Sequence, residues 1–282
     1  MEKREKPGKV YRSLVEQIKM NKKAYVVYIV LQFITLIVLV RSAMLGQWES
    51  VMTCVLALIL LLIPPFVEKN VKVQLPTALE ITAYIFVFCS EILGEVNCYY
   101  IKYPMWDTML HTVNGFMFAA FGFCLVDIFN RNRNIRFRLS AGFLAVVAFC
   151  FSMTIGVLWE FTEFAVDSTA RMDMQKDSII QEFSSVKLDE TDSNKPVRVK
   201  NIKKTVITSG DKEIVIEGGY LDIGLRDTMK DLFVNFVGAV VFSIIGYIYI
   251  KQGGRSKIAA SFVPVPNEVA DPDDYYGPEE IE

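Results

Sequence analysis

The sequence predicts an all-α polytopic membrane protein: a six-helix transmembrane bundle with a small β-containing extracytoplasmic loop between spans five and six. Three observations carry that expectation. The chain is 52% apolar, more than an ordinary soluble domain of 282 residues carries. Six apolar segments approach the length of about 17–25 residues that a spanning helix needs. Lysine and arginine gather in three places that a six-span path puts on one side of a bilayer.

The spans are expected at residues 24–40, 51–67, 75–94, 106–128, 139–164 and 231–250. Pro64 and Pro65 should end or kink the second, because proline removes a helix donor and clashes with the preceding turn. The first segment reads as a retained span rather than a cleaved leader: its basic lead-in is long, and Arg41 follows with no small-residue cleavage site. The resulting organisation is a basic N-terminus (1–23), spans one to five (24–166), a cap loop (167–226), span six (227–250) and a tail (251–282).

Orientation follows from the short loops. Lys3, Arg4, Lys6, Lys9, Arg12, Lys19, Lys22 and Lys23 precede span one. Arg131, Arg133, Arg136 and Arg138 join spans four and five, and Lys251, Arg255 and Lys257 follow span six. Both termini are therefore expected in the cytoplasm, in a multi-pass protein of the cell membrane. Val10, Tyr11, Leu14, Val15 and Ile18 recur at helical spacing, which suits a short helix on the inner leaflet or against the bundle. From Gly253 onward, prolines and seven acidic residues after Val265 predict an unstructured tail. In the cap loop, Thr205–Thr208 and Glu213–Glu217 flank Ser209–Asp211, a hairpin signal. The net charge of -2 offers no global basic field for nucleic acid. Cys54, Cys89, Cys98, Cys124 and Cys150 lie in or beside apolar segments with no CxxC pair, so they read as packing residues.

An ionisable group inside a span is expensive, and by default it marks function. Here such groups collect at one end of the bundle. Glu91 and Glu95 close span three, and Asp107 and His111, the only histidine, open span four. Glu160, Glu163 and Asp167 close span five; Asp227, Asp231 and Asn235 open span six. Asp107, His111 and Gly115 step by four, as do Asp227, Asp231 and Asn235, so each set shares a helical face. Glu80 and Glu91 are eleven apart, near three turns of about 3.6 residues, which puts Glu80 alone toward the inner end. Four polar stripes avoid lipid by facing one another. The plainer reading is interfacial carboxylates and helix-fastening hydrogen bonds; Glu95, Asp167 and Asp227 fit either. The depth of His111, Glu160, Glu163, Asp231 and Asn235 favours a site. Trp106 and Trp159 read as interfacial aromatics or packing.

The stretches WDTMLHTVNG, LWEFTEF and RDTMKDLFVNFVGA together resemble the VanZ-like superfamily of small membrane proteins. With MQKD (174–177), LDIGLRDTMKD and SEILGE, the chain is similar to the YjdF-type integral membrane proteins within it, over most of 75–246. The resemblance implies a loose link to the cell envelope. Glu163 stands where the usual pattern has Gln, and a long insert follows it.

One histidine among carboxylates and an asparagine is an oxygen-rich set. It suits Mg²⁺, Mn²⁺ or Ca²⁺ better than a closed zinc site, and a di-iron site would want two Glu-x-x-His pairs. One reading is an enzyme: Glu160, Glu163 and Asp231 hold a divalent cation, and His111, oriented by Asp107, serves as general base or acid on an envelope lipid or lipid-linked phosphate. No GxSxG is present, and Arg171 and Arg226 are the nearby phosphate-gripping candidates. A second reading is a proton- or cation-coupled transporter, against which stand the few spans and polar residues that stop midway. A third is a non-catalytic envelope binding or scaffold protein in which the cap loop recognises the partner.

Overall fold

The computed structural model describes residues 21–71, 73–130, 139–170, 173–254, 256, 260–263 and 265–266. The helix expected at 10–18, the arginine-rich connection 131–138 and the acidic residues from 268 onward lie outside them.

Six helices are long and apolar enough to cross a membrane. The first, α1 (Lys22–Met44), starts at an N-cap, Asn21, whose side chain accepts from the Ala24 N–H. The second span breaks where the prolines warn of it: α2 (Trp48–Leu60) ends, two residues turn, and α3 (Ile63–Val71) begins. Pro64 and Pro65 thereby occupy the first turn of α3, where their missing N–H groups cost nothing. The third span is α4 (Thr77–Val87), continued by a π-helical segment, Phe88–Val96. A short α5 (Tyr99–Lys102) leads to α6 (Trp106–Asn130), then α7 (Ala141–Ala170) and α8 (Leu225–Lys251).

Two boundaries differ usefully from expectation. Helices α7 and α8 run past the apolar windows, so Asp167 and Asp227 are helical residues rather than loop or edge ones. Their hydrogen bonds to the loop, described below, let the helices continue into polar sequence. The π segment also alters the third span, because its wider i→i+5 turns end the 3.6-residue step that aligned Glu91 with Glu80.

The packing divides into two units, Met1–Thr154 with Val234–Glu282, and Ile155–Phe233. In the first, a core cluster joins Leu79, Ala119, Phe123, Leu144, Ala148, Ala239 and Phe242. The tail, expected to lack structure from Gly253, returns to this core. Val263 is 1% exposed, the Phe262 ring meets Phe116 at 5.2 Å, and β8 (Val265–Pro266) pairs antiparallel with β1 (Val73–Gln74). The acidic residues beyond dominated the composition; three apolar ones before them decide the packing. Smaller clusters unite Ala24, Tyr28, Leu61 and Tyr84, and Cys54, Ala57 and Ile92. All five cysteines are free thiols.

The second unit holds three antiparallel strand pairs: β2 (Ser178–Ile180) with β7 (Tyr220–Asp222), β3 (Phe183–Ser185) with β4 (Val197–Val199), and β5 (Lys204–Ser209) with β6 (Lys212–Glu217). Ser209 pairs with Lys212 across a two-residue turn whose Gly210 has φ +60. Only glycine adopts that value at the first turn position without strain, so the hairpin closes where the sequence placed it.

Candidate functional site

On the opening turns of α6, the Nε2 atom of His111 lies 3.4 Å from the Oδ1 atom of Asp107. Their four-residue spacing stacks them on one helical face. Both side chains are largely buried, at 11% exposed for His111 and 22% for Asp107. One turn further in, Asn114 donates its Nδ2–H to Asn235 Oδ1 at 3.3 Å, and the Asn235 amide faces Met153 Sδ at 3.6 Å. Asn235 is 1% exposed.

Glycine makes this contact feasible. A Cβ on Gly115 would strike the backbone carbonyl of Asn235, and one on Gly238 would strike that of Thr112. Backbone cannot swing aside as a side chain can, so α6 and α8 approach this closely only with hydrogen at both positions. Ser152, fully buried, donates to the Gly115 carbonyl at 2.7 Å and ties α7 to the same spot. Nothing in its sequence context singled Ser152 out.

At the end of the third span, Glu91 accepts from the Ser90 hydroxyl at 3.4 Å, and Ser90 in turn meets the Tyr100 hydroxyl at 3.2 Å. Burial pushes the Tyr100 phenol above its ordinary value, so it stays a neutral hydroxyl. Gly94 leaves room for its ring. Glu95 is exposed. Trp106 donates its indole N–H to the Cys89 carbonyl at 3.2 Å, which fastens the start of α6 to the π segment.

In the second unit Glu160, Glu163 and Asp231 are buried, the last at 2% exposed. Trp159 does more than pack: its indole N–H donates to Glu163 Oε1 at 2.9 Å. Lys230, which periodicity did not mark, lies 3.6 Å from Asp227 and 3.5 Å from Asp231. Asp167 and Asp227 act as clamps on the loop. Asp167 accepts from the N–H groups of Met174 and Gln175 at 2.7 and 2.8 Å, and Asp227 from that of Lys176 at 2.8 Å. Gln175 also donates to Thr228 Oγ1 at 2.5 Å. The first three residues of the MQKD stretch are thus pinned by carboxylates on two helices. Arg226 is exposed, and Arg171 lies outside the described residues.

Six apolar helices with ionisable groups buried in them define an integral, multi-pass membrane protein. The comparison with known families agrees: residues 24–252 match DUF2238, described as a predicted membrane protein, and the chain belongs to that family. An uncharacterized protein of Thermotoga maritima is similar, at 27% identity over 104 residues. The match takes in 36% of this chain and 52% of that relative, so about half its length is spanned. No solved structure matches.

Proposed function

We propose that the protein binds a divalent cation, Mg²⁺, Mn²⁺ or Ca²⁺, through Asp107, His111 and Asp231, and uses it on the phosphate of an envelope lipid or lipid-linked substrate. These three residues can each offer one ligand atom. Glu160 and Glu163 supply further buried carboxylates, and the donor set is the oxygen-rich one that hard cations prefer. The observation that carries the reading is the Asp107–His111 pair: a carboxylate against the sole imidazole, both mostly buried, at the head of an apolar span.

Helix periodicity supports the wider set. Asn235 meets Asn114 and Gly115 across the α6–α8 pair. One turn toward each N-terminus stand Asp231 and His111. As a ligand the His111 imidazole is neutral and is oriented by Asp107, and a buried carboxylate, Glu160 or Glu163, would take the proton from a metal-bound water. A divalent cation at such a site polarises a phosphoryl oxygen and lowers the pKa of bound water. Trp159 holds Glu163 in place. The MQKD loop is clamped by Asp167 and Asp227. In this reading both termini face the cytoplasm and the strand-bearing loop faces outward. The resemblance of these motifs to the VanZ-like and YjdF-type proteins supports the same reading, toward the envelope.

The test is metal content and metal-dependent melting of the detergent-purified protein, wild type beside Asp231→Asn and His111→Gln. One ion per chain, lost in both variants, is expected; release of phosphate from lipid-linked phosphates is then screened. Absence of a bound ion with identical melting of all three proteins sinks the cation, and leaves transport or a structural role for the cluster.

A further inference from the structure

A second polar network lies far from His111 in sequence, among the first three spans, and the proposal above does not use it. Glu80 sits in the first turn of α4 at 4% exposed. It is not alone. Its Oε2 accepts from Asn21 Nδ2 at 3.0 Å, and its Oε1 accepts from the Tyr84 hydroxyl at 2.9 Å. Asn21 also donates to Thr77 Oγ1 at 2.8 Å. Tyr84 is fully buried, and its ring packs on that of Tyr28 at 5.3 Å. Tyr28 is 6% exposed, and its hydroxyl accepts from Gln32 at 2.6 Å. Gln32 stands eleven residues beyond Asn21 along α1, a rise of about 16 Å at 1.5 Å per residue, or half the hydrocarbon thickness.

Among the described residues neither Glu80 nor Glu68, the other carboxylate of this end, has a lysine or arginine in ion-pair contact. The groups bonded to Glu80 are neutral donors, Asn21 at the N-cap of α1 and Tyr84 of α4, with the Tyr28 ring behind Tyr84. Glu68, at the end of the second span, accepts from the Leu75 N–H at 2.8 Å. A carboxylate buried without a cation is costly in the ionised form and is relieved by taking a proton.

We propose that Glu80 is a proton-binding site whose hydrogen bond to Tyr84 reverses when the proton is taken up. The geometry says which oxygen receives the proton. The Asn21 amide can only donate through Nδ2, and its Oδ1 is engaged by the Ala24 N–H, so the amide cannot usefully turn round. Oε2 therefore stays an acceptor. The proton goes to Oε1, where the bond to Tyr84 reverses: the carboxyl O–H donates and the Tyr84 oxygen accepts. Tyr84 keeps its own hydrogen, which rotates away from Glu80. A hydroxyl can serve both ways, which Phe at position 84 cannot.

Infrared difference spectroscopy across pH on the full chain in lipid nanodiscs tests this, with wild type, Glu80→Gln and Tyr84→Phe. The expected result is one hydrogen-bonded carboxyl C=O band that appears on acidification, is missing in Glu80→Gln, and moves to the free-carbonyl position in Tyr84→Phe. A wild-type spectrum identical to that of Glu80→Gln from about pH 4 to about pH 10, a range spanning ordinary carboxyl values and well beyond, overturns the proton site. A carboxyl band that Tyr84→Phe leaves unmoved overturns the reversed bond to Tyr84. Melting temperatures, measured alongside, identify any variant that has simply lost its fold.

Discussion

Glycine at position 115 is as much part of the polar cluster as His111 is. The Asn114–Asn235 hydrogen bond exists because α6 and α8 meet backbone to backbone at Gly115 and Gly238. A branched side chain there meets a carbonyl, so the helices must separate. Gly115→Val is expected to cost about 1–3 kcal/mol through overpacking and to lower the melting temperature in detergent. It should also weaken whatever the cluster binds. Gly142→Ala, where an added Cβ meets nothing closer than Ser140 Oγ at 4.0 Å, should leave melting unchanged. Equal melting of wild type and Gly115→Val would show that the close approach does not bear on stability. The periodicity of Asp107, His111 and Gly115 was legible in the sequence. Lys230 and Ser152 were not, because a lysine beside two aspartates, or a serine in an apolar helix, carries no pattern of its own.

At the scale of elements, local signals read well where the chain is locally determined. The β5–β6 hairpin was visible from a Gly-Asp turn between β-rich strands, and the second span's break from two prolines. The π segment was not visible, since its wide turns satisfy contacts such as Trp106 to Cys89 rather than any propensity. The turn 189–195 offers a pH test. Its Asp189 carboxylate is held below the ordinary aspartate range, first by the Thr191 hydroxyl, then by the N–H groups of Lys195 and Thr191, with Ser193 adding to these. A depressed carboxylate stabilises the folded turn above its unfolded value, about 3.9 for aspartate, and loses that contribution as pH falls through the folded value. Amide exchange at Thr191, Ser193 and Lys195, corrected for intrinsic rates, should therefore stay slow from pH 7 to about pH 4. In Asp189→Asn it should be faster at neutral pH. Equal protection in the two proteins would mean that the charge does not hold the turn.

For the whole molecule, six crossings would put both termini on one side of the bilayer and the strand-bearing loop on the other, and that topology is testable. Cysteine introduced at Ser209 should react with an impermeant maleimide from one face of sealed vesicles, and a C-terminal tag should be cut by protease from the opposite face. The native Cys98 and Cys150, both exposed, are first replaced by serine. Labelling and cleavage from the same face would mean that one of the six helices does not cross.

The sequence by itself determined what depends on composition and on short-range periodicity: the six spans, the helical faces that collect carboxylates, the hairpin turn and the fault in the second span. Those follow from apolar length and from the 3.6- and two-residue steps of local backbone geometry. Only the tertiary structure decided which groups meet. Asn21 reaches Glu80 across 59 residues, Asn114 reaches Asn235 across 121, and the chain returns at 260–266 to a core begun near Leu79. In an apolar medium each buried polar group must find a partner; periodicity shows the partners one turn away, as Tyr84 is from Glu80, and only the packing shows those one helix away, as Asn21 is from Glu80.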